Sequence, residues 1–161
     1  MPLGFGEMAE EIERKFLVAG ATWKDRATGT LIRQGYLSNA EERTVRVRIA
    51  GREAFLTVKG PSRGVTRTEF EYPIPLDDAE SMLAALCERP FIEKTRWVVA
   101  FAGFTWEVDE FHGENAGLVV AEVELPTAET KPELPPWARE EVSSDPRYFN
   151  SNLAKKPFTT W

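Results

Sequence analysis

Pairs of like charge two residues apart recur along this chain. Glu11/Glu13, Glu69/Glu71, Glu107/Asp109 and Glu122/Glu124 are acidic, Arg46/Arg48 and Lys94/Arg96 are basic, and Thr57/Lys59 pairs a hydroxyl with an amine. In an extended strand, residues i and i+2 point to the same face, so each pair projects together. Two carboxylate pairs from different strands would suit a divalent cation, which takes several hard oxygen ligands. Arginine forks and lysine ammonium groups would suit phosphate oxygens. For one strand alone, the ordinary reading of such a face is that it meets water. A solubilising surface intersperses its signs, however, and here the signs are segregated strand by strand. Segregation predicts that the charged faces converge on an interior.

The elements that must position these pairs read at a period of two. Strands are expected at Glu11–Val18, Ile32–Leu37, Thr44–Ile49, Ala54–Lys59, Thr66–Tyr72, Ile92–Phe101, Phe104–Phe111 and Val119–Leu125, with tight hairpin turns near Arg52 and Gly103. About eight strands is the size at which a closed barrel can hold one ligand. The expected fold is mainly β, of the α+β class: an eight-stranded antiparallel closed barrel with a charged interior and a few covering helices. One helix is expected over Leu76–Glu88, capped by Asp77 or Asp78, with Met82, Leu83, Leu86 and Cys87 on one stripe and Pro90 as its stop. Others are expected near Trp23–Thr28, at Trp137–Val142, and at Asn150–Lys155 with Asn150 or Ser151 as cap. These helices and the aromatic-rich C-terminal segment would cover the barrel's apolar outside, which is also where the five tryptophans belong. Residues 1–9 read as a disordered leader, with Met8 as an alternative start, and 10–161 as a single domain.

Composition narrows the chemistry. With 20 basic and 26 acidic residues the net charge is −6, which argues against a surface that coats nucleic acid. No run of about 18 apolar residues suggests a membrane span. His112 and Cys87 are each alone of their type, which argues against a zinc site of the usual ligands, so a metal would be held by carboxylates, as Mg2+ or Mn2+. A lone cysteine fits a reducing cytoplasm.

The segment Glu11-Ile-Glu-Arg-Lys15 resembles the ExExK signature of the CYTH family, the triphosphate tunnel metalloenzymes. Arg46-Val-Arg48, Thr57-Val-Lys59, Glu69-Phe-Glu71, Lys94-Thr-Arg96, Glu107-Val-Asp109 and Glu122-Val-Glu124 follow in the family's order. The ending Asp145-Pro-Arg-Tyr-Phe-Asn-Ser-Asn-Leu-Ala154 resembles the short bacterial branch. The likeness runs from residue 10 to 158 and no expected charged position is missing.

That resemblance implies an eight-stranded tunnel, a divalent metal and a linear triphosphate substrate, inorganic triphosphate above all. It implies Glu11, Glu13, Glu122 and Glu124 as metal ligands with Asp109 nearby. It implies Lys15, Arg46, Arg48, Lys59, Lys94 and Arg96 as the phosphate grip. Glu69 and Glu71 would orient the attacking water or hold a second metal, and Tyr36 would reach a phosphate or Lys15. Glu107 belongs to the site or its rim, His112 to a turn, and Ser62–Thr66 to a hairpin loop. Thiamine triphosphatase, class IV-type adenylate cyclase and a non-catalytic polyphosphate- or nucleotide-binding module are the alternatives. No nucleic acid or membrane partner is expected, and a homodimer is reasonable.

Overall fold

Among the described residues the eight expected strands form and a ninth, unexpected one joins them, and every pairing is antiparallel. They are β1 (Glu10–Val18), β2 (Gly29–Ala40), β3 (Arg43–Ala50), β4 (Glu53–Arg63), β5 (Thr66–Pro73), β6 (Ile92–Phe101), β7 (Phe104–Phe111), β8 (Val119–Glu124) and β9 (Ala138–Glu141). The structure, a computed structural model, describes residues 10–25 and 27–161, so the expected leader at 1–9 lies outside the described residues. The strand order is β5-β4-β3-β2-β6-β7-β8-β1, and β1 pairs back onto β5, closing an eight-stranded barrel. Positive backbone φ at Gly51, Ala102 and Gly103 makes the β3–β4 and β6–β7 reversals tight.

Two expected helices are not helices. Trp137–Val142 contains β9 instead. Glu10–Ile12 of β1 pairs with β5, but Phe16 and Val18 pair with β9, which takes over the edge that β5 leaves free. An open edge of peptide N–H and C=O groups outweighs the weak helical preference of Ala-Arg-Glu-Glu. Where a helix is expected at Trp23–Thr28, the described residues form one 3-10 turn, Thr22–Lys24, with Trp23 buried, and Arg26 lies outside them.

Two helices do form, α1 (Leu76–Ala85) and α2 (Asn150–Lys155). Pro75, not Asp77 or Asp78, sits at the start of α1; the aspartates lie in its first turn, where their charge suits the helix dipole. Ala79 and Leu83 are its buried positions, while Leu86 is 67% exposed and falls outside the expected stripe. α1 covers the outside of β2–β4, packing Leu83 and Ala79 on Val47, Ile49 and Ala54. Gly35 allows this approach: a Cβ there would lie 2.9 Å from the Cys87 Cβ and 3.0 Å from a Leu83 methyl. The outer face of β1 and β6–β8 is sealed by Phe16, Trp23, Trp106, Val123 and Trp137, with the Trp106 and Trp137 rings edge-on at 5.7 Å.

A third apolar cluster lies inside the barrel. Tyr36, Ile92, Phe111 and Val120 gather there with Leu118, Leu153 and Ala154, and Leu17 packs against them. Leu153 and Ala154 come from α2, so the C-terminal helix fills one end of the barrel rather than covering its outside. Among the described residues, no helix is long and apolar enough to cross a membrane.

Candidate active site

The strand register arranges the inward side chains by depth. From the apolar end toward the opposite mouth, β1 reads Leu17, Lys15, Glu13, Glu11; β6 reads Ile92, Lys94, Arg96; β7 reads Phe111, Asp109, Glu107; β8 reads Val120, Glu122, Glu124. Side-chain exposure follows the same order, 0% for Lys94, 14% for Arg96 and 37% for Glu107. The charged stretch encloses a cavity of about 300 Å³.

This cavity has an acidic half and a basic half. Around the barrel, β7, β8, β1 and β5 are consecutive, and they carry Glu107, Glu122, Glu124, Glu13, Glu11, Glu69 and Glu71. The other four strands, β4, β3, β2 and β6, carry Lys59, Arg46, Arg48, Lys94 and Arg96. Lys15 and Arg67 are the bases on the acidic side.

Where the halves meet, they pair. Lys59 Nζ reaches Glu11 at 2.7 Å and Glu69 at 3.1 Å. Arg96 grips Asp109 with two parallel bonds, Nε at 2.8 Å and Nη2 at 2.9 Å, and reaches Glu107 with Nη1 at 2.9 Å. Lys94 donates to Asp109 at 2.8 Å. Within the acidic half Lys15 lies 3.5 Å from Glu122, and across β4 Arg46 lies 3.8 Å from Glu71.

Other cations are left over. Arg48 donates through Nε to the Gln34 carbonyl oxygen at 2.8 Å, and Arg67 is held by the Gly60 carbonyl; neither has a carboxylate partner among the described residues. The buried Arg46 Nε has no hydrogen-bond partner among them. Burial, with Arg46 and Arg96 close by, brings the Arg48 guanidinium down to about 9. Burial beside Arg96 and Arg48 brings Lys94 down to about 7, against the pull of Asp109. These groups are short of negative charge, as a site for an anion should be.

The acidic side has the converse shortage. Burial and the nearby Glu122 and Glu11 carboxylates push Glu13 well above the usual carboxylate range. Glu13 and Glu124 stand directly opposite each other across β1 and β8. Glu11 differs: burial would raise it, but Lys59 and its hydrogen bonds hold it well below that range. Crowded, under-neutralised carboxylates fit a divalent cation. Among the described residues no three candidate ligands converge into a ready-made cluster, because Glu11 is drawn onto Lys59 and Glu122 lies near Lys15.

The remaining expected residues fall as follows. Tyr36 is buried on the cavity wall near Lys15. The Asp109 carboxylate is 1% exposed, with both oxygens taken by Arg96 and Lys94. His112 lies outside the cavity lining and meets Thr95 Oγ1 at 2.7 Å. Ser62, Gly64, Val65 and Thr66 of the β4–β5 hairpin line the mouth.

Sequence reasoning missed Gln34, Arg67 and Asn150. Asn150, expected as a helix cap, makes no cap bond; its side chain turns into the cavity, where Oδ1 accepts from Lys94 Nζ at 2.9 Å. Its apolar neighbours in the barrel were legible in principle. In Lys15/Leu17, Ile92/Lys94, Asp109/Phe111 and Val120/Glu122 the inward face changes from charged to apolar at one level.

Comparison with known proteins agrees with this geometry. The CYTH domain family model matches residues 9–156. An inorganic triphosphatase of Acetivibrio thermocellus is 52% identical over 151 residues, covering 94% of this chain and 97% of that protein. An inorganic triphosphatase of Nitrosomonas europaea is 38% identical over 149 residues, covering 89% of this chain and 96% of that one. A solved structure of an inorganic triphosphatase, 36% identical, covers 92% of this chain and 97% of its own, with a TM-score of 0.66. The paired charges read from the sequence are the inner wall of a CYTH barrel, and the chain belongs to the CYTH family.

Proposed function

We propose that this protein hydrolyses inorganic triphosphate to pyrophosphate and phosphate with the help of Mg2+ or Mn2+. The observation that carries the reading is the division of one enclosed cavity into an acidic and a basic half. A phosphate chain lies against the basic half, where Arg46, Arg48, Lys59, Lys94 and Arg96 hold its oxygens by charge and by hydrogen bonds. Lys15 reaches it from the opposite wall. Glu11, Glu13, Glu122 and Glu124 would hold the divalent ion, which when bound would neutralise phosphate charge and favour attack by water. Asp109, saturated by Arg96 and Lys94, holds those two cations in place rather than the metal. Glu69 and Glu71, on the acidic wall, orient the water for in-line attack on the terminal phosphorus, and Tyr36 positions Lys15. The bond from the terminal phosphorus to its bridging oxygen breaks, and pyrophosphate leaves.

An organic triphosphate would need a recess for its base or ring. The two aromatic side chains on the cavity wall are Tyr36, which is buried, and Phe149, whose ring lies 5.4 Å from the Lys15 ammonium. Tyr36 is buried and the Phe149 ring already carries the Lys15 ammonium, which favours the inorganic chain over an organic triphosphate such as ATP or thiamine triphosphate. Nucleic acid falls outside the proposed substrate range, because the net charge is −6 and these bases face inward. The free thiol of Cys87 supports a cytoplasmic location. Phosphate release should be measured with Mg2+ and Mn2+ on tripolyphosphate, pyrophosphate, ATP and thiamine triphosphate. Tripolyphosphate should be preferred and its hydrolysis lost on chelation. Preference for an organic triphosphate would reassign the substrate, and binding without hydrolysis would remove the catalytic roles.

A further inference from the structure

We propose that Asn150 is an additional ligand of the phosphate chain, presented by the C-terminal helix as a neutral hydrogen-bond donor beside Lys94 and Arg48. This rests on the triphosphatase reading above and extends it to a residue outside the charged pairs.

The argument starts from groups that can only donate. An ammonium and a guanidinium have no acceptor atoms. Arg48 Nε meets a Gln34 side-chain atom at 2.8 Å, so that atom is the carbonyl oxygen Oε1. The Gln34 amide is thereby oriented, and its Nε2 faces Asn150 at 3.3 Å. Lys94 Nζ meets the same Asn150 atom at 2.9 Å. Two independent donors therefore converge on one Asn150 atom, which must be Oδ1. The usual ambiguity between amide oxygen and nitrogen is removed from both side chains.

With Oδ1 pinned, Nδ2 must point elsewhere. It has no hydrogen-bond partner among the described residues, and Asn150 lines the cavity beside Lys94 and Arg48. Its two N–H groups thus join the region short of negative charge. Lys94 has three donors, of which Asp109 takes one at 2.8 Å and Asn150 another, and its side chain is 0% exposed, so it has little left to offer a ligand. Asn150 replaces what Lys94 gives up. Asn39 Nδ2 donates to the Ser151 carbonyl at 2.9 Å and ties the start of α2 to β2, so the amide is presented from a fixed backbone.

The test compares Asn150→Ala with Asn150→Asp on tripolyphosphate at saturating Mg2+, with binding of tripolyphosphate to the chelated protein followed by calorimetry. A carboxylate at this position keeps an oxygen for Lys94, and makes a stronger partner for it, but replaces the N–H donors by negative charge. If Asn150 only braced Lys94, Asn150→Asp would be the milder change. The proposal predicts the reverse: kcat/KM falls about tenfold in Asn150→Ala and about a hundredfold or more in Asn150→Asp, and binding to the chelated protein weakens in the same order. Thermal midpoints measured alongside identify any loss due to misfolding. Should Asn150→Ala fail to fold, Asn150→Asp against Asn150→Ser decides by the same ordering. Parent-like kinetics in either variant, or Asn150→Asp milder than Asn150→Ala, overturns the proposal while leaving the triphosphatase reading intact. A parent protein without activity on tripolyphosphate overturns both.

Discussion

Replacing Asp109 by Asn should destabilise the empty protein and strengthen its response to polyphosphate. The carboxylate is 1% exposed and accepts from Arg96 Nε and Nη2 at 2.8 and 2.9 Å and from Lys94 Nζ at 2.8 Å. An amide keeps one acceptor oxygen and turns an NH2 donor toward donors. Removing one partner of a buried ion pair costs about 3–5 kcal/mol, since the cations that remain are desolvated and under-neutralised. For a chain of this length, about 2–4 °C per kcal/mol converts that to a loss of about 6–20 °C in Tm. The loss should depend on pH. Lys94 stands at about 7 in the folded protein, below the ordinary amine value of 10.5. Between those values the unfolded chain binds more protons, so this group adds stability as pH rises. Without Asp109, Lys94 falls further and sheds its proton more readily, so the variant loses more at pH 6 than at pH 8. Tripolyphosphate added to the chelated variant restores the missing negative charge and should raise Tm by more than it does in the parent. Differential scanning fluorimetry at the two pH values measures all of this. A Tm within about 2 °C of the parent, with the same response to tripolyphosphate, would refute the claim that Asp109 holds these cations.

Two further predictions come from the same geometry. Glu11→Gln should abolish metal-dependent turnover and reduce the Tm rise that Mg2+ or Mn2+ gives the parent, because one charged ligand beside the crowded Glu13 is lost; near-normal activity with an unchanged metal shift would remove Glu11 from the metal set. Gly35→Ala would place a Cβ 2.9 Å from the Cys87 Cβ and 3.1 Å from Phe91. Overpacking of that kind costs about 1–3 kcal/mol, so Tm should fall while kcat per folded molecule holds, and unchanged stability would mean that α1 shifts freely.

Much of the barrel was legible because its signal is local. Alternation over six to ten residues fixes which side chains share a face, whatever they face. The pairs Glu11/Glu13 and Arg46/Arg48 could therefore be placed on strands, and their segregation pointed inward. β9 was not legible, because Ala138–Glu141 becomes a strand only where β5 leaves β1 unpaired, a consequence of barrel shear. The partners within the cavity were hidden for a related reason. Arg96 meets Asp109 and Lys59 meets Glu69 directly across neighbouring strands, yet Lys59 also reaches Glu11 on β1, with β5 between them. Asn150 has the local signature of a cap; only the packing of Leu153 into the barrel end turns its side chain toward Lys94.

Seven carboxylates and seven bases line the cavity, namely Glu11, 13, 69, 71, 107, 122 and 124 against Lys15, 59 and 94 and Arg46, 48, 67 and 96. Bulk attraction therefore does not explain how a polyanion would be held, because the formal charges of the lining cancel. What the strand order supplies is separation. Acids fill consecutive strands and bases most of the rest, so a local field crosses the cavity even though its total charge vanishes. Under the proposed function, a phosphate chain on the basic side would take over from carboxylates as partner to the cations. A divalent ion on the opposite side would do the same for the carboxylates. Each alone would leave one wall with unmatched charge, and together they match both. Under the proposed function, metal and triphosphate should therefore bind cooperatively, and the ion pairs across the cavity are the arrangement in which two opposed walls of buried charge coexist.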